Sequence, residues 1–377
     1  MSEQPVQPGA GYYDPSISLT LPSRLLVHLV TAAAYYGAGM LAFAVFPIGN
    51  GVAGIWPAAG ISVAAMLLLG PSVSLAIFFS DFLVNLNTGL PVVHALLLAI
   101  GAVGEALIAW YLLTRIAGFD PRLRRIKDVT AFVTAGVLPA AMFCMMPRLL
   151  LIAVMGDAGP MPVPNAQTVF VGSLGHGLGV LLVAPVILSW TAERPLLKPS
   201  AEFFLLLLAA VLLNAAAFTA TPSGPASALL YAVFVVVLWA ALRFGPRETS
   251  DVMLLTAIFA TWAAWRASGP FIISNQIEAL YSLGLFLMIA TVTALLLAAA
   301  ARERSASAQR VEESEHAHRM LIEQMREGVI TLDGLRRFAF VSDRFCALSG
   351  WQRQDLIGRP FTQLVATTDR LRLEQAL

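Results

Sequence analysis

Charge is scarce in this sequence. Only 12% of its 377 residues are Asp, Glu, Lys or Arg, about half the share of an ordinary soluble domain, which is roughly 25%. A water-facing globular surface cannot be built from so few. There are two cysteines, Cys144 and Cys346, one in the apolar part of the chain and one in the polar part, which leaves no disulfide framework and no Cys-x-x-Cys metal pair. The net charge of +1 comes with no basic domain, so nucleic acid is not an expected partner. The N-terminus, MSEQPVQPGAGYYDPSISLT, lacks a basic stretch followed by an apolar core and a small-residue cleavage site. It reads as a polar tail over residues 1–23, not a secretory leader.

What is present is apolar length. Hydrophobic residues make up 58% of the chain, and the mean hydropathy is +0.76. Ten hydrophobic segments follow one another, at about 24–46, 54–69, 72–88, 91–115, 128–155, 166–190, 201–220, 226–244, 249–267 and 278–301. Each is at or near the length that crosses a ~30 Å hydrocarbon core as a helix. The second and third are short and meet at Gly70-Pro71, so the fold class is an all-α polytopic membrane bundle of eight to ten spans over residues 24–301.

Lys and Arg alternate between loops. Arg115, Arg122, Arg124, Arg125 and Lys127 follow the fourth segment, Arg194 and Lys198 the sixth, Arg243 and Arg247 the eighth, and Arg302 and Arg304 the tenth. The loops around Gly49–Gly51, Gly156–Asn165 and Thr221–Ser223 have none, and Arg266 alone departs from the pattern. The positive-inside rule then places every basic loop, and both termini, in the cytoplasm.

At Arg302 the composition changes to that of a soluble protein. Residues 302–326 are polar and helix-favouring, which predicts a signalling helix leaving the membrane. His316 and His318 read as solvated residues of that helix. Residues 327–377, with a lead helix from about 317, then alternate in the manner of a small α/β domain. Gly328–Asp333 and Phe338–Val341 read as strands around an Asp333-Gly334 turn, Ser342 or Asp343 caps a helix over Arg344–Leu348, and a helical turn follows at Gln354–Ile357. Phe340, Phe345, Leu348, Trp351 and Ile357 are its expected core.

Charges at membrane depth cost at least about 2.5–3.5 kcal/mol at a helix centre and therefore tend to be paired or functional. Asp81, Glu105 and Arg148 are the clear cases, with Asn85, Asn87, His94, His176 and Asn214 behind them. Asp81 and Asn85, four apart, share a helix face. Arg148 follows Pro147 in a segment that Pro139 should break. The candidate ligand-binding set is Trp56, Asp81, Asn85, Glu105, Arg148 and His176, with Arg148 as the cation facing Asp81 or Glu105; the competing reading is pairing that only holds the bundle together. Trp56-Pro57 reads first as an interfacial kink and second as a pocket wall. Gly172, Gly175, Gly177 and Gly179 read as close helix packing, because no strand precedes them and no Gly-Lys-Ser/Thr follows. His176 reads as a hydrogen-bonded residue rather than a ligand of metal or haem. No cofactor and no catalytic residue is expected.

Two stretches are similar to known families. The soluble end, with Gly328-Val-Ile-Thr-Leu-Asp333, Phe340-Val-Ser-Asp-Arg-Phe345, Ser349-Gly350-Trp351 and Asp355-Leu-Ile-Gly-Arg-Pro360, resembles the first half of a PAS domain. The apolar block resembles the membrane-associated sensor domain of the first type, found at the head of bacterial histidine kinases and diguanylate cyclases. That likeness rests on Gly54-Ile-Trp56-Pro57-Ala-Ala-Gly60, Asp81-Phe-Leu-Val-Asn85, Gly104-Glu105-Ala106, Gly118-Phe119, Leu174-Gly-His-Gly-Leu-Gly179 through Pro185, Trp239–Gly245 and Gly269-Pro-Phe271. The family usually has an acidic residue where this chain has His176. The resemblance implies the input module of an inner-membrane signalling protein, with membrane lipid, a second copy of the chain, and a small-molecule or membrane signal as partners. It implies an output, a kinase or a cyclase of cyclic-di-GMP metabolism, outside these residues. A small-solute transporter with a regulatory tail is the rival expectation, and a membrane enzyme using Asp81 and Glu105 the third.

Overall fold

The computed structural model describes residues 21–45, 47–49, 52–116, 118–155, 166–192, 201–219, 229–266, 268–271, 276–324 and 327–364. By internal contacts the chain divides into two compact units, Met1–Glu303 and Arg304–Leu377.

The first unit is helical. Helix α1 covers Leu21–Val45, a short antiparallel pair β1 (Pro47–Gly49) and β2 (Val52–Ala53) follows, and then come α2 (Pro57–Leu69), α3 (Ser74–Asn87) and α4 (Val92–Arg115). Gly70, at φ 76°, with a 3-10 turn at Pro71–Val73, reverses the chain between α2 and α3. Helices α5 (Ile126–Ala131) and α6 (Leu138–Phe143) flank a π-helical stretch at Phe132–Val137, and α7 covers Met146–Met155. Then come α8 (Ala166–Ala192), α9 (Ala201–Thr219), α10 (Leu229–Arg243), α11 (Pro246–Trp265) and α12 (Gln276–Gln324). Among the described residues six helices are long and apolar enough to cross a membrane, the continuous stretch Ile126–Phe143 counting as one, and α2 and α10 are shorter apolar helices.

The break expected at Pro139 lies elsewhere. Pro139 has no N–H to donate, and the chain absorbs the defect in the wider π turn just before it. Helical structure is interrupted instead at Cys144–Met145, ahead of Pro147.

Apolar packing forms two clusters. One gathers α1 to α6 and includes Tyr35, Met66, Ile77, Leu113 and Phe132; the other gathers α9 to α11 and includes Leu206, Phe218, Val252 and Met253. Helices α8 and α12 contribute to both. A helix between two cores must be apolar all round, and α8 is the most buried of the six long apolar helices. Outward faces are apolar too: Leu29 is 65% exposed and Tyr231 75%, as lipid contact demands.

Glycine sets the closest approach. A Cβ on Gly60 would lie 2.2 Å from the Gly179 carbonyl oxygen, and one on Gly179 would lie 1.8 Å from that of Trp56. Backbone therefore touches backbone between α2 and α8, as small-residue packing in membranes permits. Across α4, Gly101 meets the Pro147 ring and Gly104 the Phe143 ring, which seats α4 against the broken helix.

Among the described residues, the loop after α4, the start of α11 and the charged part of α12 gather at one end of this unit. The Ile126 N–H donates to Glu303 at 3.4 Å, Arg302 lies against Gly245, and Arg125 pairs with buried Asp128 at 2.7 Å. Hydrogen bonding to Asp128 holds the Arg125 guanidinium above its ordinary pKa. At the other end, Ser268 donates to the Phe218 carbonyl. Arg266, the exception in the charge pattern, lies over the Trp262 ring at 5.1 Å.

The second unit holds the antiparallel pair β3 (Ile330–Leu332) and β4 (Phe338–Val341), with helices α13 (Asp343–Ser349) and α14 (Arg353–Leu356) and a 3-10 turn at Phe361–Leu364. The Asp333 carboxylate accepts from the N–H groups of Leu335 and Arg337 and closes the turn. Ser342 caps α13 by accepting from the Phe345 N–H, and Gly350 ends it at φ 75°. The core differs from expectation. It is Phe338, Val341 and Leu356, with Phe345 packed against it; Phe340 is half-buried, while Leu348, Trp351 and Ile357 are exposed. A register shift between Thr331 and Leu332 breaks the strand alternation and turns both Phe338 and Val341 inward. Ile357 falls on the extended residue that ends α14, so Leu356 takes the inward place.

Candidate functional site

Asp81 and Glu105 are almost completely inaccessible, at 4% and 1% exposure. Asp81, in the middle of α3, accepts from Tyr35 Oη at 2.8 Å on Oδ1 and from Asn85 Nδ2 at 2.8 Å on Oδ2. The i, i+4 spacing seen in the sequence therefore places Asn85 as a donor to Asp81 on one helix face. Glu105, in the middle of α4, lies 2.8 Å by Oε2 from His176 Nδ1 on α8.

These groups meet because the backbone is interrupted around them. The segment before α2 does not continue α1 as a helix; its Trp56 N–H donates to the Gly175 carbonyl on α8 at 3.0 Å. Gly175 permits this, since a Cβ there would meet the Gly54 carbonyl at 2.7 Å. Trp56 is consequently buried against protein, at 6% exposure, with Pro57 opening α2. Its indole stacks on the His176 ring at 5.7 Å with 18° between planes, and Phe43 meets it edge-on at 5.2 Å. The four glycines around His176 were expected to serve close packing. Gly175 and Gly179 do so against the chain on either side of Trp56, and Gly177 lies 3.2 Å by its virtual Cβ from Ala141.

Together these residues line a cavity of about 50 Å³, bounded by Phe43, Trp56, Asp81, Asn85, Glu105 and His176, with Cys144 and Met145 from the break after α6. A water needs roughly 10–15 Å³ on this scale, so a few waters or one small ligand would fill it. Donors around the cavity are largely used: the Cys144 thiol donates to the Ala141 carbonyl, and Asn85 Nδ2 to both the carbonyl and the carboxylate of Asp81. Acceptors are in surplus. Glu105 Oε1 is buried and has no hydrogen-bond partner among the described residues.

Of the expected set, Trp56, Asp81, Asn85, Glu105 and His176 come together. Arg148 belongs to α7, and its side chain lies outside the described residues, as do those of His316 and His318. Glu105 has His176 Nδ1 as its hydrogen-bond partner. Tyr35 and Cys144 were not singled out. A phenol inside an apolar helix was the available signal for Tyr35; nothing local marked Cys144. Asn87, His94 and Asn214 lie apart from the cavity lining. Asn87 donates to Tyr36 Oη, Asn214 to the Ala210 carbonyl, and His94 is buried on α4.

Residues 25–305 match the MASE1 family model. The chain belongs to the MASE1 family. Residues 318–377 match the PAS fold. No curated protein and no solved structure matches the chain. A MASE1 membrane domain followed by PAS marks a membrane sensor module of signalling proteins, and both domains are sensory rather than catalytic. In MASE1 terms, the cavity lies wholly within the membrane domain.

Proposed function

We propose that this chain is the input half of a bacterial inner-membrane signalling protein whose output is a histidine kinase or a diguanylate cyclase. The observation that carries this reading is the order of parts. A MASE1 domain with a polar cavity is followed by a helix, α12, that is continuous from Gln276 to Gln324, and then by PAS. The cavity of Trp56, Asp81, Asn85, Glu105 and His176 receives the signal. Occupancy biases the bundle between two states and α12 carries the bias onward, which requires that the ligand prefer one state. A helix can transmit rotation or translation, where a flexible linker could not. The C-terminal domain lies in the cytoplasm, in keeping with the basic loops, and the chain works as a homodimer, so that one α12 moves against its twin.

The test is output from the complete protein in cells. One residue inserted after Ser307 turns the rest of α12 by about 100° and should lock or silence the response, while seven inserted residues, close to two turns, should restore it. A response indifferent to helical phase sinks the coupling. Buried carboxylates and interrupted helices also suit a small-solute carrier. Proteoliposomes that accumulate a solute against its gradient would establish that alternative.

A further inference from the structure

Hydrogen-bonding capacity around the cavity is one-sided. A carboxylate offers about four lone-pair sites. Asp81 uses two, on Tyr35 and Asn85, and Glu105 uses one, on His176. The donors of Tyr35, Asn85 and Cys144 are all committed to protein acceptors. Glu105 Oε1 remains unpartnered on a residue that is 1% exposed and lines the cavity. Among the described lining residues there are two acids, one imidazole and no Lys or Arg.

We propose that the cavity binds a small ammonium-type cation, with Glu105 Oε1 as its anchoring acceptor, Asp81 supplying further negative charge and the Trp56 ring forming a wall. The proposal rests on the cavity being the sensor's signal site. A ligand that satisfies Glu105 Oε1 must bring a donor, because that buried lining oxygen has no partner among the described residues. A cation suits it, because two carboxylates share one imidazole among the described lining residues. It must be small, because the volume is about 50 Å³. Aromatic walls favour an ammonium over a metal ion, and among the described residues no three His, Cys, Asp or Glu groups converge on a metal-binding point.

The test is calorimetric titration of the purified chain in nanodiscs with ammonium chloride. Methylammonium, tetramethylammonium and sodium chlorides are run at matched ionic strength. Saturable binding of ammonium and methylammonium is expected, with sodium and tetramethylammonium weaker by at least about tenfold. Glu105→Gln should weaken ammonium by at least about tenfold, and Glu312→Gln, on the exposed part of α12, should leave it unchanged. If Glu105→Gln fails to fold, the size and charge series on the unaltered chain decides alone. No saturable heat, equal binding of sodium, or tetramethylammonium binding as tightly as ammonium overturns the assignment. Absent ammonium binding beside an output response that Glu105→Gln abolishes removes the cation and keeps the sensor reading. Ammonium binding that never alters output keeps the site and removes the sensor role of the cavity.

Discussion

His176 Nδ1 lies 2.8 Å from Glu105 Oε2, joining α8 to α4 across the interior of the membrane domain. His176→Ala should destabilise the bundle by about 3–5 kcal/mol, because it strands a buried carboxylate. Adding Glu105→Gln should recover part of the loss. Equilibrium unfolding in mixed detergent micelles reads both, and purely additive effects in the double variant would deny the coupling.

The contact between α2 and α8 tolerates no side chain at its centre. Gly179→Ala would drive a Cβ to 1.8 Å from the Trp56 carbonyl oxygen, whereas Gly37 has nothing within 4 Å of its virtual Cβ. Gly179→Ala should abolish folded yield or lower the melting temperature strongly, and Gly37→Ala should be silent. Thermal unfolding followed by size-exclusion chromatography distinguishes them.

Asp128 accepts from the Asp120 N–H and twice from Arg125, at 1% side-chain exposure. Asp128→Ala removes the buried acceptor of these three hydrogen bonds, at a cost of about 1–3 kcal/mol. Arg125 is the more exposed partner, so Arg125→Ala should cost less, and a reversed ranking in thermal unfolding would contradict the burial argument.

Ile126 and Glu303 are hydrogen-bonded, so the loop after α4 and the charged part of α12 share an end of the bundle. Cysteines introduced at Arg124 and Arg304, in a background lacking Cys144 and Cys346, should be labelled by a membrane-impermeant reagent from the same face. Labelling from opposite faces would break the topology and the basic-loop reading together.

In the PAS unit, Phe338 is 1% exposed and Trp351 42%. Phe338→Ala should cost about 3–5 kcal/mol and raise hydrogen exchange across β3 and β4, while Trp351→Ala should cost much less. Equal protection losses would restore the core expected from sequence.

The sequence by itself determined that the apolar block is a bundle of helices and that a small strand-bearing region follows it. Hydropathy over some twenty residues is a property of composition, and the backbone of a lipid-embedded segment must satisfy its own hydrogen bonds. It also placed Asp81 and Asn85 on one helix face, because helical spacing is local, and gave Gly175 and Gly179 their packing role. Only the tertiary structure decided that His176 meets Glu105, that Trp56 is interior, that the broken helix yields at Cys144–Met145 instead of Pro139, and that Leu356 rather than Ile357 enters the PAS core. Each depends on the rotation and depth of one element against another. A helix turns by about 100° per residue, so polar groups on different helices meet only after backbone contacts such as Gly60 on Gly179 have fixed those rotations, and no local pattern records them.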